Sequence, residues 1–404
     1  MVIETLKRDI DEIMPGVIAD RRHLHANPEL GFQEEKTSRY VVDRLKHLGV
    51  EDIRTGIGGF GVTGLIKGTA EGPGSDRVVM VRADMDALPI LEEGDRDFIS
   101  TVPGVMHACG HDAHTSMLIG LATVLLQRRD SFAGTVKVLF QPAEELPPGG
   151  AIAMIRDGAL EDPHVDIALG LHVASDIPAG KVGLRAGAAS ASGDMFTIRV
   201  QGKGGHAAKP NKAVDPIVVG SQIVTALQAL VSRNVDPVES GVVSVTAFLS
   251  GEAFNVIPDT AELRGTVRTL NPEVRDLLER RLIETATKIG EAMGANVEVD
   301  YVRGYPSVIN DPRLLPLLQQ AAEAAVGAEN VMELPPTMGG EDFSYFSLER
   351  PSFFFMVGVG NEERGIVWPH HHPKFDIDEE GMAPGIETMA NAVMLCLDKG
   401  VPAQ

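Results

Sequence analysis

The chain has 404 residues, 44% of them hydrophobic and 23% charged, with a formal net charge of −21. That length points to two domains rather than one core, and the composition is that of a globular chain. Such a polyanion is repelled by nucleic-acid phosphates, two cysteines cannot build a disulfide framework, and no apolar run approaches the roughly 18 residues of a membrane span, so nucleic-acid and membrane partners are excluded. The N-terminal MVIETLKRDIDEIM carries charges where a signal peptide needs its apolar stretch, so a soluble, cytoplasmic protein is expected.

Residues 12–48 have helical spacing with a break expected at RRHLHANPELG. GIGGFG at 56–61 matches G-x-G-x-x-G, but strand-like VTGLIKG follows it. A dinucleotide site needs a helix there, whose N-terminus holds the pyrophosphate, so a glycine-rich turn is the better reading. Then come three short apolar runs that stop at polar clusters: RVVMVRADMD, GTVKVLFQPAEE and DIALGLHV. Such runs suit strands buried on both faces of a parallel sheet. HDAHTSMLIGLATVLLQRR lies between the first two with helical spacing, which makes a βαβ unit. In open α/β sheets, sites form beyond the carboxyl ends of the strands, so Asp86, Glu144, Glu145 and His172 are expected to converge.

From about residue 187 the pattern changes. DMFTIRVQGKGGHAA reads as a strand entering a turn, and AVDPIVVGSQIVTALQALVSR as a helix. GVVSVTAFLSGE and TAELRGTVRTL alternate like a hairpin, and NPEVRDLLERRLIETATKIGEAMG is a helix with Asn271 as N-cap and Pro272 in its first turn. NVEVDYV closes a βαββαβ series, so an inserted α+β ferredoxin-like domain is expected over 187–303. The flanking 1–186 and 304–404 then form one α/β domain, to which SFFFMVGVG adds a strand and the C-terminus a helix.

Cys109 sits in PGVMHACGHDAHTSM beside His107, His111 and His114. A lone cysteine is usually a small buried apolar residue, but thiolate and imidazole two residues apart in a glycine-containing loop are ligands for zinc-like metals. One Cys-x-His pair is incomplete, and Glu145 and His172 are available at other strand ends. His114 is expected to make structural hydrogen bonds. His107 could stand behind the ligands, and Asp112 could cap the helix or do the same. Glu144 and Glu145 are neighbours whose side chains point different ways, so one can hold metal while the other serves as a general base. WPHHHPKFD should supply one ligand among its three histidines, whereas His206 in GKGGHAA could be incidental.

RRHLHANPELGFQEEKTS, RADMDALPI, HACGHDAH, FQPAEE, GLHV, GKGGHAAKP, FNVIPD, GTVRT, MGGEDFSYF and HHPKFDID, taken in order, resemble the amidohydrolase branch of the co-catalytic metallopeptidases. That branch includes hippurate hydrolases, N-acyl-amino-acid amidohydrolases and auxin-conjugate hydrolases. The match spans nearly the whole chain. It implies a zinc-peptidase-like catalytic domain with a mixed sheet, and makes the inserted domain a dimerisation or lid domain. It also implies two divalent metal ions per subunit (zinc, manganese, cobalt or nickel), with Cys109 bridging and His111, Glu145 and His172 as further ligands. His371 matches the C-terminal ligand, with His370 and His372 as alternatives. By the same resemblance Glu144 is the general base, His206 holds the oxyanion or substrate, and Asn255, Arg268 and Gly340 bind substrate. Distant relatives carry His-x-Asp where this chain has Asp84-Met85-Asp86, and a bridging carboxylate where it has Cys109. A metal-held thiolate is deprotonated and can serve two cations, while Asp86 orients a ligand histidine.

The activity implied is hydrolysis of N-acyl-amino acids by a homodimer or higher oligomer. A metallo-dipeptidase or carboxypeptidase is the nearest alternative. A non-catalytic metal-binding protein is the other, although it would have no use for Glu144.

Overall fold

The structure is a computed structural model and describes residues 6–403; the first five residues of the N-terminal stretch read above lie outside the described residues. The chain forms two compact units. One runs up to Gly187 and returns over Ile309–Pro335 and from Asp342 onward; the other comprises Ala188–Val308 and Pro336–Glu341.

The first unit is built on an eight-stranded mixed sheet. Its strand order is Glu51–Ile57, Gly61–Lys67, Thr135–Gln141, Val78–Asp84, Ile167–Pro178, Ser352–Gly360, Val182–Leu184 and Val331–Glu333. The four central strands, from Thr135–Gln141 to Ser352–Gly360, are parallel to one another. All seven residues of Val78–Asp84 are buried, as an apolar run covered on both faces requires. The crossover helix His111–Gln127 is buried nearly all round, because helices Lys7–Ala26 and Met382–Lys399 both pack on it.

Three details differ from the sequence reading. The first helix continues through RRHLHA to Ala26, and the break falls between it and the next helix, Glu35–Leu48. His111 is the first helical residue rather than a loop residue. His172 lies inside a strand that continues to Pro178, where Ser352–Gly360 pairs along it.

Charge is buried at the strand ends. Arg82 is wholly buried, and its guanidinium donates to Asp84 at 2.6 Å, to Asp342 at 2.9 Å and to Gln141 Oε1 at 2.8 Å. A buried cation survives only with such partners, and these tie two strands to the segment that begins at Asp342.

The second unit has a four-stranded antiparallel sheet in the order Gly241–Leu249, Thr260–Thr269, Ser192–Gln201, Asn296–Val302. Helices Pro216–Asn234 and Pro272–Ala292 cover it. Asn271 caps the second helix by accepting from Glu273 N at 2.8 Å, and Pro272 occupies its first turn. Residues 336–341, read from sequence as part of the first unit, belong here. Thr337 N donates to Ala189 O and Ala191 N to Gly339 O, both at 3.0 Å.

Candidate active site

Parallel pairing brings Asp84, Gln141 and the middle of Ile167–Pro178 into neighbouring positions, and the chemistry gathers beyond them. Two sets of three ligand atoms, each within 4.8 Å of one another, share Cys109: one with His111 and His172, the other with Glu145 and His371. Cys109 Sγ is 3.5 Å from His172 Nε2, and His371 Nε2 is 3.0 Å from Glu145 Oε1. The latter approach is too poorly aligned for a hydrogen bond. His111, Glu144 and Glu145 form a further set of this kind.

Local folding aims each group. Gly110 has φ +90°, and a Cβ there would collide with Val173, so only glycine lets the chain turn from Cys109 into the helix at His111. His111 Nδ1 donates to Asp86 O at 2.9 Å, with Asp86 Oδ1 3.2 Å away, which leaves Nε2 buried and without a hydrogen-bond partner. His172 Nδ1 is likewise engaged by Val173 O at 2.6 Å, leaving Nε2 toward Cys109. The carboxylate of Asp86 also accepts from Glu144 N and Glu145 N, each at 3.0 Å, so one side chain fixes the His111 imidazole and the turn with the paired glutamates.

Among the three consecutive histidines, His370 Nε2 is engaged by Val173 O at 2.9 Å, and His372 stacks on Trp368. His371, at φ +65°, is the one directed toward Glu145. His114 is a hydrogen-bonding residue: Nδ1 meets Asp84 at 2.6 Å and Nε2 accepts from Val173 N at 2.9 Å. Asp112 does not cap its helix. It pairs with Arg21 at 3.0 Å and His25 at 2.8 Å, in a buried cluster the sequence reading missed. His107 is buried, and its two ring nitrogens have no hydrogen-bond partner.

The electrostatics describe a cation site. Burial and the carboxylates of Glu145, Glu144 and Asp84 push the Cys109 thiol well up. Burial alone would lower His111, but Asp84, Asp86 and Glu145 raise it to about 10. Burial and the neighbouring His114 and His370 hold His172 well below the usual imidazole value. A thiol, carboxylates and imidazoles around an orphaned, buried Nε2 are a donor set that divalent cations fit.

The second unit carries two groups of the residues singled out above. His206 and Asn255 are adjacent: Val256 pairs with His206, and Ala207 N donates to Asn255 O at 3.0 Å. Arg268 is half-buried and has no hydrogen bond or ion pair among the described residues. Its guanidinium rests where a side chain on Gly193 would stand, and a Cβ on Gly340 would be 3.4 Å from its Nη1.

Residues 80–395 match the model of the peptidase family M20/M25/M40. The chain belongs to that family. It is 46% identical over 317 residues to an N-acyl-L-amino acid amidohydrolase of Geobacillus stearothermophilus, covering 78% of this chain and 84% of the relative. It is 38% identical to thermostable carboxypeptidase 2 of Saccharolobus solfataricus (strain ATCC 35092 / DSM 1617 / JCM 11322 / P2), over 97% of this chain and 98% of the relative. A solved Bacillus subtilis structure, described as a dinuclear metal binding peptidase from the M20 family, matches with a TM-score of 0.83 at 35% identity. It covers 96% of this chain and 99% of that one. This M20 chain is a metal-dependent hydrolase of linear amides. No helix among its described residues is long and apolar enough to cross a membrane.

Proposed function

We propose that this M20 enzyme hydrolyses N-acyl-amino acids, releasing a carboxylic acid and a free amino acid, with two divalent metal ions held by Cys109, His111, Glu145, His172 and His371. Cys109 belongs to both ligand sets, which supports it as a residue that would help hold the metal ions. When bound, the ions would supply Lewis acidity for the amide carbonyl and the attacking water. Glu144 takes the proton of that water on its carboxylate and passes it to the leaving nitrogen as the C–N bond breaks. Asp86 keeps His111 in the tautomer that offers Nε2 and holds Glu144 in place. His206 donates to the developing oxyanion, and Asn255 and Gly340 line the substrate.

The observation that carries the substrate class is the unpaired Arg268 guanidinium, a bidentate partner for a free α-carboxylate. A carboxypeptidase also needs that group, and the name of the Saccharolobus relative favours this as the second reading. Arg268 and the His206–Asn255 pair belong to opposite ends of the strand Thr260–Thr269, a span of roughly 30 Å. Both can serve one small substrate if they come from two chains, which supports a homodimer with the second unit as its dimerisation or lid element. Neither cysteine is in a disulfide, which suits the cytoplasm.

The test is a hydrolysis panel with metal analysis. N-acetyl- and N-benzoyl-amino acids should turn over, their α-amides poorly, and dipeptides with a free amino group slowly. Arg268→Ala should erase the preference for the free acid. Faster cleavage of dipeptides or longer peptides would give the peptidase reading, and turnover by metal-free protein would overturn both.

A further inference from the structure

We propose that Glu34 is a positioning residue for catalysis: its buried carboxylate holds the turn that presents Glu144. The inference rests on the reading of Glu144 as general base. Glu34 is the penultimate residue of the motif NPELGFQEE, to which the mechanism above gives no role. It stands at the start of helix Glu35–Leu48 but does not cap it. Glu29 does that work, taking Lys36 N at 2.9 Å, Thr37 N at 2.8 Å and Thr37 Oγ1 at 3.0 Å. The Glu34 side chain, wholly buried, is turned instead to Ala143, whose N–H donates to Oε1 at 2.7 Å.

Ala143 needs that anchor. Its φ is +52°, in the left-handed region where an L-residue with a Cβ is disfavoured by roughly 1–2 kcal/mol. The two residues that follow are the paired glutamates, with their N–H groups on Asp86. Three successive peptide N–H groups are therefore held by two carboxylates from different parts of the chain. Asp86 alone would leave the turn free to relax at Ala143, swinging the Glu144 side chain. The same motif packs against the turn and reaches the Asp86 segment. A Cβ on Gly31 would lie 3.2 Å from Ala143 Cα and Cβ, and Ala87 N donates to Glu29 O at 2.8 Å. A carboxylate with no exposure and one unpartnered oxygen, Oε2, is a costly way to stabilise a fold, which points to a role in geometry.

Two substitutions separate reach from charge. Glu34→Asp keeps the acid but withdraws it from Ala143 N; Glu34→Gln keeps the length and an acceptor oxygen. With the whole metal-loaded enzyme and an N-acyl-amino acid, Glu34→Asp should lower kcat by ~10–100-fold with KM within about threefold and metal content unchanged, as expected of a base displaced by about 1 Å. Glu34→Gln should recover kcat to within about threefold. In a Glu144→Gln background, Glu34→Asp should cost nothing further, because there is no base left to misplace. Undiminished kcat in Glu34→Asp, or equal losses of kcat in Asp and Gln, overturns the positioning role while leaving Glu144 as base. Undiminished kcat in Glu144→Gln overturns both.

Discussion

Asp86 accepts the backbone N–H of Glu144 at one carboxylate oxygen and that of Glu145 at the other, each at 3.0 Å. The two glutamates are thus fixed as a unit while their side chains remain free to differ in duty: Glu145 meets His371, and Glu144 lies beside it facing the same site.

Glu144→Gln should bind a full complement of metal yet lose kcat by at least ~10²-fold, the usual scale for a positioned acid–base group. Glu145→Gln should lose metal first, seen as a lower stoichiometry after dialysis. Exchange of the two phenotypes would reverse the roles.

Arg82→Ala should destabilise the chain by about 3–5 kcal/mol, because Asp84 and Asp342 would remain buried without their cation. Chemical denaturation of the metal-free protein measures this. A loss below about 1 kcal/mol would mean that water reaches both carboxylates.

Lys137 gives a pH signature remote from the ligands. It is buried on the strand Thr135–Gln141, and Nζ donates to Glu161 O at 2.7 Å. Burial lowers its pKa to about 8, with Arg54 adding to the effect. Between that value and the ordinary value near 10.5 the unfolded chain binds more protons, so stability from this group rises with pH across the window. The wild type should gain on the order of 2 kcal/mol relative to Lys137→Met between pH 8 and pH 10. Parallel denaturation curves across that range would show that Lys137 is hydrated.

Mixing two inactive chains, Glu144→Ala and His206→Ala, tests whether the second unit serves the partner. If His206 acts across a two-fold dimer, subunit exchange at equal amounts should restore roughly a quarter of wild-type sites. Silence, with exchange verified by mass, would place His206 with its own metals or outside the reaction.

The βαβ core and the ferredoxin-like order were legible because their apolar patterns have clear periods, from Val78–Asp84 through helix His111–Gln127 to the hairpin at 241–269. Cys109 and His111 stood out by chemistry and His371 by its likeness to the family's C-terminal ligand, whereas the φ of +65° with which His371 is directed toward Glu145 is announced by no pattern. The extent of the first helix was misjudged because its polar stretch RRH is helical for tertiary reasons. Arg21 lies buried against Asp112, Asp376 and Glu379, contacts of up to 358 residues' separation that local periodicity does not carry. Glu34 was hidden likewise: its partner is a backbone N–H 109 residues away.

The strand Ile167–Pro178 pairs on one side with Val78–Asp84 and on the other with Ser352–Gly360. During synthesis the first neighbour is made well before it and the second long after, with the whole inserted unit in between. At about 5–20 residues per second, that edge waits on the order of ten seconds or more with apolar surface uncovered. His371 emerges later still, so with His371 as the proposed ligand the nascent chain would be unable to close its metal site while the ribosome is translating the insert. On that reading the architecture would keep the hydrolase without its full ligand set until it is nearly complete, and the unpaired edge is the place where a chaperone would be needed most.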